Sequence, residues 1–399
     1  LKSKDYIALD KEFGPQNYAP LEVVVKEGEG VWVKDVEGKS YLDMLSAYSA
    51  LNFGHRNQRI LDVAIKQLGS LTLTSRAYYN DVLILLAREL SQFCDMEMAL
   101  LMNTGAEAVE SAIKVSRRWA YTVKGVEADK AEIICFNNNF HGRTTTIIGF
   151  STSDSAKENF GPFTPGFCAV PFADVEALRS AINKNTAAVL IEPIQGEGGV
   201  IIPPAGYLQE VRQMCSENNV LMIADEIQTG LCRTGEIFAC DHEKVKPDIY
   251  ILGKSLGGGL VPISAVVSSK EVLGTLTPGS HGSTFGGNPL ACAIAREVLS
   301  LIKEEKPEKN SKELGEYFLA ELKKIDSKKI NSVRGRGLFM AVDIASDAGE
   351  AKKFCNLLLN EGVLCKDTRT QTLRFAPPLV IKKSELDWAL ERIAKVFAD

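Results

Sequence analysis

Histidine is scarce, with four residues in a chain of 399. None belongs to an HExxH pattern, so a His-rich catalytic metal site is not expected, and no metal is assigned. The nine cysteines are scattered, without a CxxC pair. An odd, unpatterned set fits free thiols in a reducing compartment, hence a cytoplasmic location, and not a disulfide framework. Long apolar runs are missing too. The longest uncharged stretch, Val272 to Ala295, holds five Gly and two Pro together with His281 and Asn288, so it does not read as a membrane span. The opening Leu1-Lys2-Ser3-Lys4-Asp5-Tyr6 has no charged-then-apolar signal pattern. It also lacks a starting Met, which leaves a removed leader, a mitochondrial matrix one included, as the alternative. There is no excess of positive charge. Lys plus Arg is 46 and Asp plus Glu is 51, a net charge of -5, which gives no support to a nucleic-acid partner or a polybasic membrane contact, and neither is expected.

What is present is ordinary globular composition, 45% apolar and 24% charged, at a length that suggests two or three domains. Val23–Val25, Gly28-Glu29-Gly30 and Val31–Val33 read as the start of a small antiparallel meander. From about residue 60 the texture changes. Short apolar runs at Ala99–Met102, Ile133–Phe136, Ala187–Ile191, Leu221–Ala224 and Ile249–Leu252 alternate with helical patterns. Such runs are strands buried on both faces, so the pattern predicts a mainly parallel α/β sheet flanked by helices. A helical segment at 290–303 leads to a charged linker, 303–312. Beyond it the pattern predicts helix 313–324, strand 338–344, helix 347–361, strand 372–376 and helix 384–397. The expected division is an N-terminal segment 1–45 that joins the small domain, a large domain 46–290 and a small α+β domain 291–399.

Ligands bind at the carboxyl ends of strands in open parallel sheets. Here those ends carry Asn103-Thr104-Gly105-Ala106-Glu107, Phe140-His141-Gly142-Arg143, Glu192, Asp225 and Gly253-Lys254. Lys254 closes an apolar strand, where desolvation opposes its charge and lowers its pKa, as Schiff-base chemistry requires. The bland alternative is a lysine that snorkels at a strand end. A P-loop is excluded, because Asp248 stands where its first Gly belongs. Asp225 lies 29 residues upstream of Lys254. A carboxylate buried there wants a cation, either a neighbouring lysine or a protonated pyridine nitrogen. Thr104 and Glu107 fit a capping box whose free N–H groups suit a phosphate, although most helix caps bind nothing. Phe140 offers a ring for a flat ligand and Arg143 a fork for a carboxylate.

These residues resemble the class III, fold type I aminotransferases that use pyridoxal 5′-phosphate. The resemblance runs over nearly the whole chain. It rests on Ala224–Gly230 with Arg233-Thr234-Gly235, Pro247-Asp248 and Leu252-Gly253-Lys254. Within the class it points to members that act on ornithine, through Tyr48–Asn52, Thr72–Asp81, Phe160–Phe163, Glu192–Gly199, His281–Pro289 and Arg374–Pro378. The fold it implies is a large domain with a seven-stranded sheet plus the small α+β domain. Lys254 would carry the cofactor covalently and shuttle a proton, with Asp225 and Glu192 completing the catalytic set. Asp225 would pair with the ring nitrogen and Gln228 with the ring oxygen. Phe140 and Ile227 would sandwich the ring, and Thr104, Gly105, Ala106 and Ser283 would surround the phosphate. Thr284 would reach that phosphate from the second subunit of a homodimer. Tyr18, Tyr48 and Arg374 would hold the α-amino and α-carboxylate end of L-ornithine, and Arg143 the γ-carboxylate of 2-oxoglutarate. Glu197 would neutralise Arg374 while glutamate or 2-oxoglutarate occupies the site. The sequence departs from the pattern at Ala19, where His is expected, beside Tyr18. The rivals are a related ω-aminotransferase acting on N-acetylornithine, 4-aminobutyrate or lysine, an aminomutase or racemase on the same scaffold, and a non-catalytic protein of this fold.

Overall fold

The computed structural model describes residues 1–398. Near the N-terminus β1 (Val25–Glu29), β2 (Trp32–Asp35) and β3 (Ser40–Asp43) form the expected antiparallel meander. The central sheet follows, built from β4 (Met98–Met102), β5 (Glu132–Phe136), β6 (Phe167–Val170), β7 (Thr186–Ile191), β8 (Leu221–Asp225), β9 (Ile249–Leu252) and β10 (Ser264–Ser268). Its order is β4-β10-β9-β8-β7-β5-β6, and five neighbours from β9 to β6 run parallel. The exception is β10, antiparallel to both β4 and β9. β10 is enclosed between two strands, which fits its being buried along its whole length.

The apolar runs are strands because both faces of the sheet are covered. Leu190, Ile223, Ile251 and Val266 pack with Val109, Ile113 and Trp119 of the helix Gly105–Trp119. Their neighbours Val189, Met222, Leu252 and Val267 pack on the other side with Leu208, Val211, Ala291 and Val298. Alternation along each strand thus feeds two cores, and every residue of β7 is buried.

After the central sheet come β11 (Ile330–Gly335), β12 (Met340–Ile344), β13 (Val363–Leu364), β14 (Lys366–Thr368) and β15 (Thr372–Phe375). Four of them make an antiparallel sheet in the order β11-β12-β15-β14. The fifth, β13, pairs parallel with β3, so the two ends of the chain share a sheet. The charged segment expected as a linker is mostly helical. Helix Pro289–Glu305 breaks only at Lys306, in the left-handed region (φ 51°), and Pro307 opens the helix Pro307–Lys323. Proline suits the first position of a helix because the N–H it lacks would have no partner there. Strands β6, β10, β11, β13 and β14 were not expected from the sequence. Strand β11 is only half-buried, and the middle of β6, Cys168 and Ala169, is exposed.

Three segments meet backbone to backbone behind the central sheet. A Cβ on Gly315 would lie 2.1 Å from the Gly337 carbonyl oxygen, and one on Gly337 (φ +57°) would lie 2.3 Å from the Thr234 carbonyl carbon. Ser311 Oγ donates to the Arg233 carbonyl at 2.8 Å and accepts from Leu338 N at 3.1 Å. Alanine is favoured over glycine inside a helix by about 1 kcal/mol. Here the overlap with backbone outweighs it, so Gly315→Ala is expected to lose about 1–3 kcal/mol in urea unfolding. Unchanged or raised stability would show that the contact relaxes freely.

Candidate active site

Thr104 lies two residues beyond β4 and caps the helix Gly105–Trp119. Its Oγ1 accepts from Glu107 N at 3.2 Å, while Glu107 Oε2 accepts from Thr104 N at 2.7 Å and Asn103 N at 2.9 Å. Burial opposes the Glu107 charge, but these donors hold its carboxyl below the ordinary range. The cup at this helix start is narrow. A Cβ on Gly105 would come within 3.0 Å of Ile227 Cδ1, and one on Gly142 (φ +126°) within 2.9 Å of the Ala106 Cβ. Ser283 Oγ closes one side, accepting from Asn103 Nδ2 at 2.9 Å and Gly286 N at 3.0 Å. Thr284, the residue after Ser283, is exposed.

Beside the cup lies a cavity of about 210 Å³ lined by Phe140, Gly142, Glu192, Asp225, Ile227 and Lys254. A larger surface groove of about 460 Å³ along Trp32 and Lys382 shares no residue with it. Lys254 follows β9 after Gly253, with φ 43°, and opens a short 3-10 turn. Its amine is pushed down to about 8, chiefly by burial, against the pull of Glu197, Asp225 and Glu192. It also lines a wider cleft of about 420 Å³ with Ala47, Leu51, Thr104 and Leu260.

Asp225, at the end of β8, is buried. Its Oδ1 accepts from Ile227 N at 3.1 Å and its Oδ2 lies 2.6 Å from His141 Nδ1. Burial works against a charge on His141, but the Asp225 contact and then the Glu192 charge raise its pKa above the ordinary value. Glu192 follows β7 and is pushed up to about 7 by burial. Its oxygens accept from Phe140 N at 3.0 Å and Gly196 N at 3.4 Å, so it fixes the backbone that carries the Phe140 ring. Arg143 is exposed and sits over that ring at 5.4 Å. Among the described residues it has no carboxylate partner.

The third group surrounds Arg374, which is fully buried on β15. Its Nη1 donates to Glu197 Oε1 at 2.5 Å, while its Nε and Nη2 have no partner among the described residues. Burial opposes the Glu197 charge, but Arg374 and then Lys254 outweigh it and hold the carboxyl below its ordinary value. The Arg374 guanidinium lies 5.3 Å from the Tyr48 ring. Tyr48 sits in a run, Ser46 to Ser49, whose φ angles are all positive, 48°, 48°, 59° and 72°. Gln228 Nε2 donates to the Tyr48 carbonyl at 3.3 Å, which ties this turn to the residues after β8. Burial, then Glu197, raises the Tyr48 phenol.

The fold thus gathers Lys254, Asp225, Glu192, Gln228, Ile227, Phe140 and the Thr104–Ala106 cup around one cavity. Glu197, Arg374 and Tyr48 adjoin it. Tyr18 remains 72% exposed, its segment held by Lys366 Nζ donating to the Ala19 carbonyl at 3.3 Å. His141 was passed over in the sequence, although a histidine between a ring and an arginine at a strand end was the available signal. Among the described residues no group of His, Cys, Asp and Glu is arranged to hold a metal ion.

The residues present fit a flat, anionic, carbonyl-bearing cofactor. A helix start faces the anion, Phe140 and Ile227 flank the slot, Asp225 offers a carboxylate, and Lys254 a desolvated amine. The unpartnered Arg374 nitrogens fit a carboxylate.

The family model for class-III aminotransferases matches residues 13–397. An ornithine aminotransferase from a Geobacillus strain is 55% identical, over 100% of this chain and 99% of its own length. The crystal structure of the ornithine aminotransferase from Toxoplasma gondii is similar with a TM-score of 0.98 and 46% identity, covering 100% of this chain and 95% of that one. An acetylornithine aminotransferase from Elizabethkingia anophelis is similar with a TM-score of 0.90 and 42% identity, covering 100% and 99%.

The desolvated lysine gives a stability prediction. Its amine binds fewer protons in the folded than in the unfolded chain between about pH 8 and 10.5. Stability therefore rises with pH across that window, and the full cost is carried below it. Without cofactor, Lys254→Met is expected to exceed the native chain in unfolding free energy at pH 7 by up to about 3 kcal/mol. The advantage should shrink toward pH 10.5; a difference independent of pH would show that Lys254 is not desolvated.

Proposed function

We propose that this chain, which belongs to the class-III aminotransferases, transfers the δ-amino group of L-ornithine to 2-oxoglutarate. The products are glutamate 5-semialdehyde, which cyclises to pyrroline-5-carboxylate, and L-glutamate. Bound pyridoxal 5′-phosphate supplies an aromatic electron sink for the negative charge that develops on the substrate carbon. Lys254 would hold the cofactor, and its amine would move a proton to or from the reacting carbon. Asp225 would keep a proton on the ring nitrogen, and His141, in hydrogen-bond contact with its Oδ2, orients Asp225. Phe140 and Ile227 would flank the ring, Gln228 would meet its oxygen, and Thr104, Gly105, Ala106 and Ser283 would hold the phosphate.

The observation that carries the substrate reading is the closed Arg374–Glu197 pair beside Lys254. It favours a revision of the roles expected from the resemblance. The reacting carbon of 2-oxoglutarate is bonded directly to a carboxylate, whereas the δ-carbon of ornithine lies four bonds from one. A group this near Lys254 suits the adjacent carboxylate. Glu197 closed over Arg374 therefore masks that site while ornithine reacts, and opens it when glutamate or 2-oxoglutarate enters. Arg143, exposed beside Phe140, takes the far carboxylate of either substrate, and Tyr48 with Tyr18 the α-amino end of ornithine. The names of relatives at 55% and 46% identity support ornithine as donor. The acetylornithine aminotransferase likeness keeps N-acetylornithine as the second reading.

The active unit is a homodimer in this reading. Support comes from exposed apolar groups at Tyr78, Tyr79, Leu260 and Phe285 and from the exposed Thr284, which would meet the phosphate of the other subunit.

An amino-donor panel with 2-oxoglutarate tests the reading. L-Ornithine is expected to exceed N-acetylornithine and 4-aminobutyrate by about tenfold or more in kcat/KM. A preference for N-acetylornithine would replace the reading with its rival. Tyr48→Ile should move the preference toward 4-aminobutyrate, and an unchanged donor profile would remove Tyr48 as the selector.

A further inference from the structure

Arg233 is fully buried, yet no carboxylate among the described residues touches it. Its Nη1 donates to the carbonyls of Leu338 at 2.9 Å and Pro377 at 2.6 Å. Its Nη2 donates to Ser46 Oγ at 3.2 Å and to Asn52 Oδ1. Asp43 is the carboxylate that acts on it, but Asp43 is engaged elsewhere, accepting from Leu45 N at 2.9 Å and Ser46 N at 2.8 Å. A buried cation without an ion pair is costly, and packed apolar groups of similar volume serve stability at least as well. Stability alone therefore does not explain an arginine here.

Its acceptors explain it better. Ser46 opens the left-handed run that carries Tyr48, and Pro377 lies three residues after Arg374. Ser46 Oγ in turn donates to the Ala376 carbonyl at 2.6 Å, and Ala376 N to the Met44 carbonyl at 2.7 Å. Four successive non-glycine residues in the left-handed region cost about 1 kcal/mol or more each, and persist only where the surroundings hold them.

We infer that Arg233 is a positioning residue whose fork ties the Ser46–Ser49 turn to the Ala376–Pro377 segment, and so sets the Tyr48 ring against the Arg374 guanidinium for recognition of carboxylate-bearing substrates. This rests on the reading of Tyr48 and Arg374 as substrate groups. A lysine keeps the charge but replaces the planar fork by a point, and cannot hold four acceptors on separate segments.

The test compares single-turnover half-reactions of the cofactor-loaded protein with L-ornithine, L-glutamate and butylamine. Butylamine is ornithine without its carboxylate and its α-amino group, so it needs neither arginine nor Tyr48. In Arg233→Lys the second-order constants for the two amino acids are expected to fall about tenfold or more, and that for butylamine less than about threefold. Ser46→Ala removes one tie and should move the same ratios in the same direction by a smaller factor. It decides the matter if Arg233→Lys does not fold. Equal losses on all three donors, or unchanged ratios in Ser46→Ala, would overturn the inference and make Arg233 a structural residue only. A native chain that does not use ornithine would instead defeat the functional reading, which the unsubstituted protein reports separately.

Discussion

Arg374 is a guanidinium wholly removed from water, and Glu197 is the group that neutralises it. In so poor a dielectric neither charge is tolerable without the other. Their position is what gives the pair consequence. Both act on the Lys254 amine, Glu197 raising its pKa and Arg374 lowering it, while burial lowers it further. Asp225, with His141 behind it, and Glu192, pushed to about 7, complete a cluster in which each charge depends on the others. Moving one carboxylate thus changes both what the site recognises and how its lysine is charged.

The fold supplies this arrangement by bringing strand ends together. β7, β8 and β9 run parallel side by side and deliver Glu192, Asp225 and Lys254 to one edge. β15 brings Arg374 from the other end of the chain. Between them the Ser46–Ser49 turn holds Tyr48 in a backbone form that residues with a Cβ rarely adopt. Strain of that kind survives only when several contacts over-determine it. Gln228, Asp43, Asn52 and Arg233 provide them, from the segment before the central sheet and from the connection between β8 and β9.

Much of this was legible in the sequence. Lys254, Asp225 and Glu192 each end an uninterrupted apolar run, and a polar group in that place has few structural excuses. The Thr104–Glu107 box was legible because capping is local, and it forms as read. The Arg374–Glu197 pair was not legible from the residues, since 177 positions separate its members. Nor was His141, a single ring whose meaning depends on Asp225 facing it. The antiparallel insertion of β10 left no mark, because a buried strand reads the same in either direction. The segment 303–312 was misread for its charge. An exposed helix face is as charged as a linker, and Pro307 marks a helix start as readily as a break.

The masking of Arg374 by Glu197 is the claim on which the substrate reading turns. It is tested most directly by Glu197→Ala, followed in single-turnover half-reactions with L-glutamate and L-ornithine. Removing the mask leaves Arg374 open to a carboxylate beside the reacting carbon. The ratio of the glutamate to the ornithine second-order constant is then expected to rise by about tenfold or more. A ratio that stays constant or falls would contradict the masking role and return Glu197 to a merely structural partner of Arg374.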